Sequence, residues 1–158
     1  MQRLPLVLLA AALAITPASA AGLGDTFADL GTCYARHYDD AHLRSHPKQR
    51  VASVYLFAGD HSDEPGRAHF DAVLDFGFTL RDGESYAAVA YCEGESCSLE
   101  GDMGSFTVSA GRDDGLRLEI GDFVEIEGKA GTSGNLAESD DRVFLLYPAR
   151  PAACDPSA

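Results

Sequence analysis

The segment DAVLDFGFTLR, residues 71 to 81, has an apolar side chain at every second position from Ala72 to Leu80 and runs straight into Asp82-Gly83. Strict alternation is the signature of a strand with one buried face, since successive side chains point to opposite sides of a sheet. An Asp-Gly pair readily takes the positive backbone angles of a tight hairpin. The stretch therefore predicts a strand with Ala72, Leu74, Phe76, Phe78 and Leu80 on a core face and Asp71, Val73, Asp75, Gly77, Thr79 and Arg81 facing water. A second strand, SYAAVAYC at 85 to 92, returns antiparallel to it.

The same grammar recurs on both sides of this hairpin. Apolar or alternating runs at 50 to 58, 97 to 101, 105 to 110, 116 to 120, 123 to 127 and 142 to 147 are separated by short polar turns rich in Gly and Asp. About eight short strands with little room for helices between them predict a mainly β fold. The expected form is an antiparallel meander, either a small barrel or a curled sheet, and closure would remove the exposed edges of such a sheet. Ahead of the strands, Phe27, Leu30, Tyr34, Tyr38 and Ala41 recur at helical spacing, predicting a helix from Asp25 to about Ser45 that packs on the sheet. Gly31 weakens its middle, so two short helices are the alternative, and Pro47 ends the element by pushing His46 out of the helical region. GKAGTSGNLAESDD, 128 to 141, reads as a Gly/Ser-rich loop, and GDHSDEPGR, 59 to 67, as a polar one.

Residues 1 to 20, MQRLPLVLLAAALAITPASA, have one cation, an apolar run from Leu4 to Ile15 and small residues at the end, the layout of a cleavable export signal. The run is too short to span a bilayer as a helix. Residues 21 to 158 are then expected to form one disulfide-stabilised domain in the periplasm or outside the cell. In an oxidising compartment the four cysteines default to two disulfides. Cys92 and Cys97 flank only EGES, while Cys33 and Cys154 stand near the two mature ends, so these are the expected pairs. Thiolate zinc sites show paired knuckles, and only one loose pair exists here.

With 25 acidic against 12 basic residues the chain carries a formal charge of −13. Phosphate backbones and anionic membranes repel such a protein, so nucleic acid is not an expected partner and membrane insertion is not expected. A basic partner would suit it. The acidity also keeps an exported protein soluble.

The richest cluster of chemistry is CYARHYDDAHLRSHPKQ, 33 to 49. His42 and His46 stand four apart, the spacing that lets two imidazoles on one helix face share a metal, and His37 precedes them by five. A zinc or copper site on His37, His42 and His46, with His61 or His69 as a further ligand, is one reading. The intervening Leu43, Arg44 and Ser45 supply no Glu for an HExxH hydrolase. The other reading is structural: Asp39 or Asp40 caps a short turn, and the imidazoles bond nearby carbonyls. There is no G-x-S-x-G elbow, no phosphate loop and no EF-hand spacing. An enzyme working through paired carboxylates is a third reading, although so many acids single out no pair.

Read as C-Y-x-R-x-Y-D-x-x-H-L-x-x-H-P-x-Q, residues 33 to 49 resemble the N-terminal motif of a family of small secreted proteobacterial proteins with no established activity. A weaker likeness covers Phe76 to Arg81 and the hairpin from Cys92 to Phe106. The resemblance implies a bacterial envelope location, and a further family cysteine where Gly101 stands here would put the Cys92–Cys97 pairing in question. The function expected from all of this is non-enzymatic. It is that of a binding or accessory protein, inhibitor-like, acting on an unidentified protein or small ligand without a cofactor.

Overall fold

The computed structural model describes residues 22 to 129 and 131 to 155. The expected signal, 1 to 20, lies outside the described residues. The chain begins with a short helix, α1 (Leu23–Thr26), and continues through strand β1 (Cys33–His37), helix α2 (Asp40–Ser45) and strands β2 (Val51–Phe57), β3 (Ala72–Leu80), β4 (Ser85–Glu93), β5 (Ser96–Leu99), β6 (Gly104–Ala110) and β7 (Leu116–Val124). A two-stranded hairpin, β8 (Glu127–Gly128) with β9 (Gly131–Thr132), precedes the last strand, β10 (Val143–Ala149).

Eight of these strands close into an antiparallel barrel in which each strand from β1 to β6 pairs with the next, β7 pairs with β10, and β10 returns to β1. The mainly β meander expected from turn spacing is thus present, in its closed form. Asp82-Gly83 makes the turn between β3 and β4, with Gly83 at φ 91°.

The segment expected to be helical throughout, as one helix or as two short ones, is corrected at Cys33–His37. It is two short helices separated by β1, the strand whose pairing with both β2 and β10 closes the barrel. Gly31, at φ 85°, turns the chain between α1 and β1. Leu30, counted in the apolar stripe, is 70% exposed. Tyr34 packs towards the interior while Cys33 and Ala35 face outwards, so the period of this stretch is two. A helical spacing of aromatics and an alternating one share many positions over five residues, and the open hydrogen-bonding edges of β2 and β10 decide between them.

A second correction carries the strand expected at 116–120 on to Val124 as the single strand β7, while Glu127, expected to end a separate strand at 123–127, begins β8. Gly121 bends the strand against Ser105 instead of reversing it, opposite a register shift between Gly104 and Phe106. The loop at 128 to 141 is also more than a connector. Ile126 and Leu136 are wholly buried and close one barrel end, while Leu23 and Phe27 join the core at the other.

Buried Asp141 fastens this end cap. Its carboxylate accepts from the backbone N–H of Arg50 (2.8 Å) and Val51 (3.0 Å) and from Ser139 Oγ (2.6 Å), with Arg50 Nε at 3.8 Å. The Arg50 guanidinium in turn donates to the carbonyls of Ser133 and Asn135. A buried carboxylate is tolerated when donors surround it in this way.

Phe76, Phe78, Phe106 and Phe144 are the largest fully buried side chains, and with Leu56, Leu74, Leu118 and Leu146 they fill the barrel. The Phe76 ring lies 4.8 Å from Phe106 and 5.8 Å from Phe78, tilted spacings that suit aromatic packing. Both expected disulfides are formed. Cys92–Cys97 joins directly opposed residues of β4 and β5 inside the barrel, with Cα atoms 4.1 Å apart. Cys33–Cys154 is on the outside, tying the C-terminal turn Pro151–Cys154 to β1. The described cysteines are all paired, which fits an oxidising compartment. No helix among the described residues is long and apolar enough to cross a membrane.

Candidate functional site

α2 forms because Asp39 caps it: its Oδ1 accepts from the His42 N–H at 2.7 Å, and this bond holds the Asp39 carboxyl below its ordinary range. At the other end Arg81 donates to the carbonyls of Leu43 and His46, both at 2.6 Å, while His46 has left helical geometry before Pro47. The helix brings His42 and His46 together as a ring stack, with centroids 4.1 Å apart and planes at 15°, and Tyr38 extends the stack at 4.6 Å from His42. His42 Nε2 bonds the Gln49 side-chain oxygen at 3.0 Å, and His46 Nδ1 donates to the His42 carbonyl at 2.9 Å.

Lone pairs of imidazole lie in the ring plane, so near-parallel stacked rings aim them side by side and not at a common point between the rings. His37 stands at the exposed end of β1. His61 is engaged elsewhere, with Asp75, and His69 ends the 3₁₀ turn Arg67–His69. Among the described residues no three His, Cys, Asp or Glu side chains are grouped so as to hold a metal ion.

A second constellation lies on the barrel's outer wall, and its β3 members, Asp75 and Gly77, are positions expected from the alternation to face water. Strand register lays Phe57, Asp75 and Val89 in one outward row across β2, β3 and β4, and Tyr55, Gly77 and Ala87 in the next. The C-terminal turn, held by Cys33–Cys154, stands over these rows, so that Tyr55 is buried at an outward position. Tyr55, Phe57, Asp75, Ala87, Pro151, Ala152, Cys154 and Asp155 enclose an open cleft of about 540 Å³.

Gly77 gives the cleft its floor. A Cβ there would fall within the Tyr55 ring, so glycine is what allows the phenol to cross β3. Asp75 is set between aromatic and aliphatic neighbours, its side chain 35% exposed, with one carboxylate oxygen crowding Gly59 and the other 3.3 Å from His61 Nε2. That imidazole nitrogen is buried and makes no geometrically sound hydrogen bond. Burial pushes the Asp75 carboxyl above its ordinary value; His61 offsets this in part, and Glu100 adds to it. Burial, with Asp75 and Asp155 nearby, pushes the Tyr55 phenol up to about 12, so it stays protonated at neutral pH.

The loop before β3 lies over the neighbouring part of the wall. Tyr91 donates to Glu64 at 2.5 Å, and the Phe70 ring packs 5.1 Å from Tyr91. These contacts explain why Val73, expected to face water, is buried. The cleft thus combines aromatic and aliphatic walls with carboxylates, and its one sulfur is tied up in a disulfide. One signal in the sequence pointed here: a glycine inside an otherwise regular strand, two residues after an outward Asp, marks a close approach.

A closed, filled, disulfide-bonded barrel with an acidic cleft on its outer wall is the class of structure that fold and site define. Comparisons with protein-family models, with curated proteins and with solved structures find no match to this chain.

Proposed function

We propose that this is an exported binding protein of the bacterial envelope, periplasmic or secreted, that recognises a basic protein partner with its outer surface and does not turn it over. It would belong with the small secreted proteobacterial proteins whose motif residues 33 to 49 resemble. The observation that carries the reading is the filled interior. Phe76, Phe78, Phe106 and Phe144 occupy the space in which a carrier barrel would hold its ligand, so recognition falls to the outside. The formal charge of −13 favours a cationic partner by long-range attraction.

The wall itself suits an aqueous setting. Outward positions such as Ser105, Thr107, Arg117 and Glu119 are polar while the inward ones are apolar, the reverse of a membrane-spanning barrel. The cleft offers a phenol too basic to lose its proton near neutrality and no free thiol, which supports binding over nucleophilic chemistry.

The test is capture from envelope extract with the immobilised, disulfide-intact protein, followed by reconstitution with the purified partner. A stoichiometric complex with a basic protein, weakened by salt, is expected. Recovery of nothing above background overturns the reading.

A further inference from the structure

We infer that the cleft between β2, β3 and the C-terminal turn is a socket for one basic side chain, Arg or Lys, of a protein partner. The cationic head would sit at Asp75 and the stem against Tyr55, Phe57 and Ala152. The inference rests on the binding reading above and adds the place and the chemistry of contact.

Three observations converge on it. The first is that Asp75 is a half-buried carboxylate whose ion-pair partner among the described residues is the His61 imidazole, at 3.3 Å and without a well-formed hydrogen bond. Leaving a charge so poorly compensated beside aromatic rings costs stability, and such sites recur where function requires them. The second is the walls: Tyr55 and Phe57 come from consecutive outward positions of β2 and flank that charge, an arrangement that holds a guanidinium or ammonium by its alkyl stem and by the ring faces. The third is the rim. Asp155 lies in the same cleft, so a cation there meets carboxylates from both the barrel wall and the tethered turn. An anionic or purely apolar ligand would add nothing to the His61 contact in compensating Asp75.

The experiment is a residue-resolved NMR titration of the ¹⁵N-labelled, disulfide-intact protein with Nα-acetyl-arginine amide and Nα-acetyl-lysine amide, with the citrulline and norleucine amides as neutral controls. Saturable shifts confined to Tyr55, Gly77, Ala87 and Ala152 are expected from the cations and none from the controls. Asp75→Asn should weaken binding about tenfold, the loss of one charge contact. Ala87→Lys, which puts an ammonium into the cleft from an exposed strand position, should abolish it while leaving Asp75 in place. Shifts spread over the acidic surface, or unchanged by either variant, overturn the socket while leaving a captured basic partner, and so the binding reading, intact. Tighter binding of spermidine than of either amide would also overturn it, by making a free polyamine the occupant. Failure to capture any partner removes the wider reading, and the socket falls with it.

Discussion

The Tyr55 ring fills the space that a side chain on Gly77 would need, and Gly77 is the residue directly opposite it on the neighbouring strand. The outer wall is therefore packed to a tolerance of one methyl group at this point. Gly77→Ala should displace the ring and cost about 1 to 3 kcal/mol, the usual penalty of overpacking. Urea unfolding of the variant checks this, and an unchanged midpoint would mean that the ring is not held over β3.

Asp75 should weaken the fold at neutral pH. Its carboxyl is raised from 3.8, chiefly by burial, against the pull of His61 and with Glu100 adding to the rise. For an acid with a raised folded-state pKa, the stabilising contribution is present below the unfolded value and is lost as pH rises through the folded one. Asp75→Asn should then melt at or above the wild-type temperature at about pH 7, with the difference shrinking towards about pH 3. Calorimetry across that range decides, and a variant clearly less stable at neutral pH would show that the His61 pair outweighs burial.

Asp141 has the opposite role. It is wholly buried and accepts from two backbone N–H groups and one hydroxyl, joining the end cap to β2. Asp141→Ala leaves those donors unpaired beside Arg50, so a loss of about 3 kcal/mol is expected in denaturant titration. Amide exchange should rise first in residues 133 to 141 and at the start of β2.

Replacing Cys33 and Cys154 by Ala removes the tether on the C-terminal turn. The bridge closes a separation of 121 residues, and loop entropy alone sets the cost at about 4 to 5 kcal/mol. The same change should bring the Tyr55 phenol down from about 12 towards 10, since its burial and its proximity to Asp155 both depend on that turn. NMR titration of ring-labelled tyrosine follows this residue separately. A Tyr55 pKa that stays near 12 would show that the turn holds without the disulfide.

The hairpin at Asp82-Gly83 and the alternation of β3 and β4 were legible in the sequence because both depend on residues close together in the chain. The same is true of the Asp39 cap and the stop at Pro47. The pairing of Cys92 with Cys97 followed from their short separation. β1 was not legible: five residues with spaced aromatics suit either period, and the partners that settle the matter are β2 and, more than a hundred residues on, β10. Likewise Asp75 and Gly77 looked like an ordinary outward face, since the turn that stands over them comes from the far end of the chain.

Local chemistry by itself determined the β class, the positions of most turns, the acidity and the cysteine framework, since a turn, a charge and an alternation are properties of a few neighbouring residues. Tertiary structure alone decided that the sheet closes through β1, that the barrel is filled, and that an outward aspartate lies half-buried between rings under a tethered turn. Each of those depends on which distant backbone groups find one another, and the free energy that selects them is released only when the two ends of the meander meet.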